Sequence, residues 1–119
     1  MGMVTQRRMA RVMTISINGL AQMVEIDAED LSQMQQLIGG GWIETVSARG
    51  WYLICDEEGK FKNLPVNEPA TQLAKNMLPQ GFHDQLRGPV VLAGWRPDGS
   101  TVDLPDEAAR MAQYYVTLM

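Results

Sequence analysis

The chain has one cysteine, one histidine and no long apolar run. Each scarcity sets a limit. Cys55 has no partner within the chain, so no intramolecular disulfide can form, which fits a reducing compartment. His83 stands alone, and zinc sites draw on several His or Cys donors. No apolar stretch approaches the roughly 20 residues of a membrane span. The first residues carry arginines but lead into no signal-peptide core. The expected setting is therefore cytoplasmic, with no membrane contact. Basic residues are also scarce beyond the start. Arg7, Arg8 and Arg11 are three of the ten, so the rest of the chain holds seven against all 14 acids. Phosphate-backbone binding needs clustered Lys and Arg, so duplex DNA is not an expected partner. An acidic body favours a basic protein partner instead.

What is present is an ordinary globular composition. The chain has 119 residues, of which 45% are hydrophobic. That suits one modest core, so residues 1–10 read as a flexible leader and residues 11–119 as a single domain. Two β-prone runs, residues 11–17 and 20–26, flank Asn18-Gly19. A two-residue hairpin loop there pairs Ile17 with Leu20, Ile15 with Gln22 and Met13 with Val24. A helix follows, with Asp27 as N-cap and Leu31, Met34, Leu37 and Ile38 as its apolar stripe. Gly39-Gly40-Gly41 ends it.

Residues 42–47 and 51–55 read as strands. Asp56-Glu57-Glu58-Gly59 reads as an exposed hairpin tip that returns into a short basic strand, Lys60-Phe61-Lys62. Asn67 can cap a second helix, with Ala70, Leu73, Ala74 and Met77 on its buried face and Pro79 with Gly81 as its stop. Residues 89–95 form an apolar strand with little alternation, as expected of one covered on both faces. After a turn at Arg96–Gly99 and a return over 100–103, Pro105 opens a third helix. Ala108, Met111, Tyr115 and Leu118 line one of its sides. The fold class is α+β: a mainly antiparallel sheet of about seven short strands with three helices.

No residue pattern marks an active site. Cys55 is followed by Asp56, Glu57 and Glu58, which disfavour the thiolate a nucleophile needs. The same acids lack the alternation and distal glutamate of a calcium loop. No metal and no cofactor are expected. His83 beside Asp84 reads as a polar loop residue. Trp42, Trp51 and Trp95 are not interleaved with basic residues, as a base-stacking surface requires. Core packing accounts for at least two of them, and one exposed tryptophan would mark a partner surface.

The stretch from Leu53 to Asn67 places the chain further. An apolar strand enters the acidic loop closed by glycine, then come Leu64-Pro65 and Asn67 with Ala70. Upstream lie Leu37-Ile38-Gly39-Gly40 and Ile43-Glu44. Downstream, Asp84-Gln85-Leu86-Arg87-Gly88 precedes an apolar strand. From about Val24 to Gly94 this order resembles the family catalogued as domain of unknown function 3846, a family of small phage and plasmid proteins. Asn63 stands where the family pattern leads one to expect glycine. The resemblance implies a mobile-element origin and action inside a bacterial host. It implies no activity and no catalytic residues.

Function is therefore expected to be binding. The first expectation is a non-catalytic phage or plasmid accessory protein that docks onto a host protein, as in counter-defence or host takeover. The alternative is a small-ligand or nucleotide sequestering protein, with Asn63, Asn67 and Arg87 as polar contacts between the sheet and the Asn67 helix. A third is a small enzyme around His83, Asp84 and Cys55. Homo-oligomerisation stays open.

Overall fold

The fold is built outward from β5 (Val90–Trp95), whose side chains are buried on both sides. Val90 and Leu92 enter one core, Val91 and Ala93 the other. That is the reason for its unbroken apolar run. Residues 8–78 and 80–119 are described by the structure, a computed structural model. Within them the other strands are β1 (Met9–Ile15), β2 (Leu20–Asp27), β3 (Ile43–Ser47), β4 (Trp51–Asp56), β6 (Thr101–Val102) and β7 (Thr117–Leu118). The helices are α1 (Leu31–Leu37), α2 (Glu68–Met77) and α3 (Asp106–Ala112). The sheet runs β3-β4-β5-β1-β2-β7, with β6 also on β5. Every pairing is antiparallel except β2 with β7. The α+β class expected from the sequence is the observed one.

The two faces bury different elements. Met13, Ile15, Leu53, Val90 and Leu92 pack with Leu73 of α2 and Ala108 of α3. Val12, Ile26, Ile54 and Val91 pack with Met34 and Ile38 at α1. Asn67 caps α2, its Oδ1 accepting from Ala70 N at 3.1 Å. Gly39 and Gly40 close α1, donating to Gln36 O and Gln35 O, the paired bonds of a Schellman end.

Several local expectations are corrected. The β1–β2 hairpin pairs Ile15 with Ala21 and Met13 with Met23, one residue away from the expected register. Ser16 N donates to Leu20 O, so the loop has three residues, Ile17-Asn18-Gly19. Only Gly19 takes a positive φ, +82°. A one-residue shift changes which side chains face the core. Here it buries Ala21 and leaves Gln22 exposed.

The first strand also starts at Met9, so residues 9 and 10 belong to the sheet. Residues 1–7 of the expected leader lie outside the described residues, as does Pro79. The first helix is capped by Asp30, whose Oδ1 accepts from Ser32 N, and not by Asp27. β2 extends through Asp27, which pairs with Met9. Lys60-Phe61-Lys62 lies in a turn, not a strand. The seventh strand is β7, formed by residues assigned from sequence to the last helix. Leu118 of β7 is exposed, and so is Met111 of α3.

Candidate functional site

Asp56 ends β4 and organises the turn that follows. It is 6% exposed, buried where an exposed tip was expected. Its Oδ1 accepts from Glu58 N at 2.8 Å, and Lys62 Nζ approaches Oδ2 at 2.7 Å. Burial pushes its carboxyl up. The Lys62 hydrogen bond, the Glu58 N–H and the Lys62 charge outweigh this and hold it below the usual aspartate range. A Cβ at Gly41 would overlap the Asp56 carboxylate, so the glycines after α1 let that backbone close over the turn. Asn63 completes the turn at φ +53°. Asparagine tolerates this left-handed conformation, which reconciles it with a position where glycine was expected.

The same turn meets the connection before β5. Lys60 Nζ reaches both Asp84 carboxylate oxygens at 2.7 Å. Gly59 packs against Arg87, where an added Cβ would lie 3.3 Å from the arginine Cβ. Gly88 N donates to Pro65 O and Asn67 N to Leu86 O. Two motif segments far apart in sequence, 54–60 and 84–88, thus converge. Between them and β3 lies a cleft of about 280 Å³, lined by Glu44, Cys55, Glu57, Lys60, Asp84 and Arg87 among others.

The chemistry of this cleft is polar and mixed in sign. Burial, then the charges of Glu44, Asp56 and Asp84, push the Cys55 thiol up to about 12. It is held as a neutral thiol at physiological pH, not as a nucleophile. Asp84 lines the cleft with Cys55, whereas His83 does not. Among the described residues no three His, Cys, Asp or Glu side chains converge on a metal position.

The three expected ligand contacts are not brought together. Arg87 lines the cleft, with Nη1 donating to Leu64 O at 2.9 Å and its buried Nε unpaired among the described residues. Asn63 is exposed on the turn. Asn67 is fully buried, with Nδ2 donating to Ile15 O and Gly88 O and Oδ1 serving the helix cap.

A second feature lies beside the turn. Trp51 is buried, and Trp95 donates its indole N–H to Ala48 O and Trp51 O. Trp42 is 64% exposed and Phe61 92%. Glu57 N donates to Trp42 O at 2.8 Å, tying the turn that carries Phe61 to the start of β3. Trp42, Glu58 and Lys62 share a groove of about 450 Å³ with Gln35 and Gln36 of α1. Composition gave no reason to single out Trp42 over the other tryptophans. The local signal was its place between a glycine run and a strand.

No curated protein and no solved structure matches the chain. A family model does match, over residues 9–118, nearly its whole length. The match takes in both motif segments around the cleft, the turn with Phe61 and the start of β3, and by it the chain belongs to the family described as Domain of unknown function (DUF3846).

Proposed function

We propose that the protein is a non-catalytic binding module that docks a basic segment of another protein on the surface around Trp42 and Phe61. The observation that carries this reading is the exposure of those two aromatics at one end of the sheet. Large aromatics are enriched at binding hot spots because they bury much area with few torsions to fix. The surrounding charge selects the partner. Lys60 and Lys62 are held by Asp84 and Asp56. Glu44, Glu57 and Glu58 have no ion-pair partner among the described residues. Arg87 is the one cation here likewise without an ion pair among the described residues, so the field at this end stays net acidic, which steers a basic partner and opposes a phosphate backbone. Resemblance to small phage and plasmid proteins supports a host protein as that partner, met in the bacterial cytoplasm.

The test is capture from bacterial lysate by immobilised wild-type protein and by a Trp42→Ser, Phe61→Ser double variant. A protein retained stoichiometrically by the wild type, released by salt and lost with the double variant, supports the reading. Equal retention by both overturns it.

A second reading is favoured by one observation. The buried, unpaired Nε of Arg87 beside the cleft suits sequestration of a small anionic ligand. Native mass spectrometry of freshly purified protein would show such a ligand, and its loss in Arg87→Leu would tie it to the cleft.

A further inference from the structure

The outer edge of β3 is open. β3 pairs with β4 on one side, in the register Ile43–Asp56 to Ser47–Tyr52, and with no other strand among the described residues. The ladder fixes which backbone groups are used. Trp42 O accepts from Glu57 N, and Ala48 N donates to Trp51 O. Antiparallel hydrogen-bonded pairs alternate, so the even-numbered residues of this strand face β4. The N–H and C=O groups of Ile43, Thr45 and Ser47 face outward. One bond bears this out: Gln80 Nε2 donates to Ser47 O at 3.2 Å. Among the described residues it is the only hydrogen bond to that edge.

Edge strands are normally blunted by lysine, proline or a bulge. β3 has no lysine or proline, and its register with β4 is unbroken. Its side chains also alternate. Glu44 and Val46 lie on the face of the cleft, and Ile43, Thr45 and Ser47 on the other. Trp42 stands at its start.

We infer that the partner docks by strand addition: an extended segment alternating basic and β-branched residues pairs antiparallel with β3. Its basic side chains lie on the Glu44 face and its β-branched ones beside Ile43 and Thr45. This rests on the protein-binding reading and supplies its geometry. In an antiparallel pair, residues opposite Thr45 share its face and exchange its hydrogen bonds. The β-branched residues of the partner therefore contribute the backbone groups that face β3.

The probe is a fluorescein-labelled peptide of about ten residues alternating lysine with valine, long enough to span β3. Binding is followed by fluorescence anisotropy at about 0.15 M salt. The wild-type protein should bind it, and Thr45→Pro should weaken binding at least about tenfold by removing one outward N–H. Proline is tolerated on an edge where the lost N–H faced solvent, so Thr45→Pro should keep the wild-type circular dichroism spectrum. The peptide gives a control independent of the variant's folding. N-methylation at its valine amides should abolish binding, and N-methylation at its lysine amides should leave it intact. No binding by the wild type, or equal effects of the two methylations, overturns strand addition. Binding lost in Trp42→Ser but unchanged in Thr45→Pro also overturns it, while leaving the aromatic docking surface standing.

Discussion

Asn67 is the residue on which most of the local order around the cleft depends. Its amide joins three elements: Oδ1 caps α2, and Nδ2 donates to Ile15 O of β1 and to Gly88 O before β5. Its backbone adds Thr71, whose Oγ1 donates to Asn67 O at 2.7 Å and accepts from Leu86 N at 3.0 Å. The capping role was legible from position alone, because asparagine ahead of Glu-Pro is a helix start. The two carbonyl bonds were not, since they link residues 52 and 21 positions apart. Asn67→Ala loses a cap and removes one donor from each of two carbonyls, of which Ile15 O also lies in the β1–β5 ladder. A loss of about 2–4 kcal/mol in chemical denaturation is expected. Asn67→Asp separates the two roles. It keeps the cap acceptor but turns a carboxylate oxygen toward both carbonyls. It should be no more stable than the alanine variant at neutral pH, and should recover as the carboxyl is protonated. Wild-type stability for Asn67→Asp would show that the amide donor has no structural part.

The elements show where sequence pattern decides and where tertiary pairing overrides it. β5, α2 and the glycine stop of α1 follow directly from an unbroken apolar run, a cap with a buried stripe, and left-handed glycines. The β1–β2 loop does not. Asn-Gly satisfies both a two-residue loop, which needs positive φ at both positions, and a three-residue loop, which needs it only at glycine. Core volume then decides, because the observed register puts Ala21 inside and Gln22 out. This is testable. Gly19→Ala should cost about 1–2 kcal/mol from its left-handed φ. Its Cβ would also press on Pro69 Cγ at 3.0 Å. Asn18→Ala gives up only the exposed hydrogen bond that Asn18 Oδ1 accepts from Ser16 Oγ, and should cost less than about 1 kcal/mol. A comparable loss at Asn18 would instead favour the two-residue loop. Two strands were misplaced for a related reason. Lys60-Phe61-Lys62 has strand-like residues, but Lys60 and Lys62 are drawn to Asp84 and Asp56 across the turn. Thr117–Leu118 continues an apparent helical stripe, yet Thr117 N and Met119 N donate to Gly19 O and Ala21 O of the neighbouring chain segment. Apart from Asp56, six residues before Lys62, these partners lie far away in sequence. The candidate site was visible only as motif segments. Their convergence, the open edge of β3 and the exposure of Trp42 all depend on how the strands are ordered.

At the scale of the whole molecule, acidity is put to structural use as well as left on the surface. Asp30, Asp56, Asp84 and Asp98 all sit below the usual aspartate value of 3.8. Asp30 at the α1 cap and Asp98 in a turn do so chiefly through hydrogen bonds from Ser32 and Ser100, Asp84 through Lys60. Asp56 differs in being buried, where desolvation opposes the Lys62 and Glu58 bonds that stabilise its charge. A carboxyl depressed in the folded state binds fewer protons there than in the unfolded chain. Its contribution is fully present above the unfolded value and is lost as pH falls through the folded one. Stability should therefore be flat near neutrality and fall as pH drops below about 4. Exposed pairs are screened and weigh little, so most of the slope should come from Asp56. Thermal denaturation of the wild type, Asp56→Asn and Asp98→Asn across that range tests the assignment. Asp56→Asn should melt lower than wild type at neutral pH and show a shallower acid limb, because the charge that Lys62 needs is already gone. Asp98→Asn should track the wild type. If the two variants lose the same share of the acid slope, burial of Asp56 beneath the Gly41 backbone is not what couples the turn to the stability of the sheet.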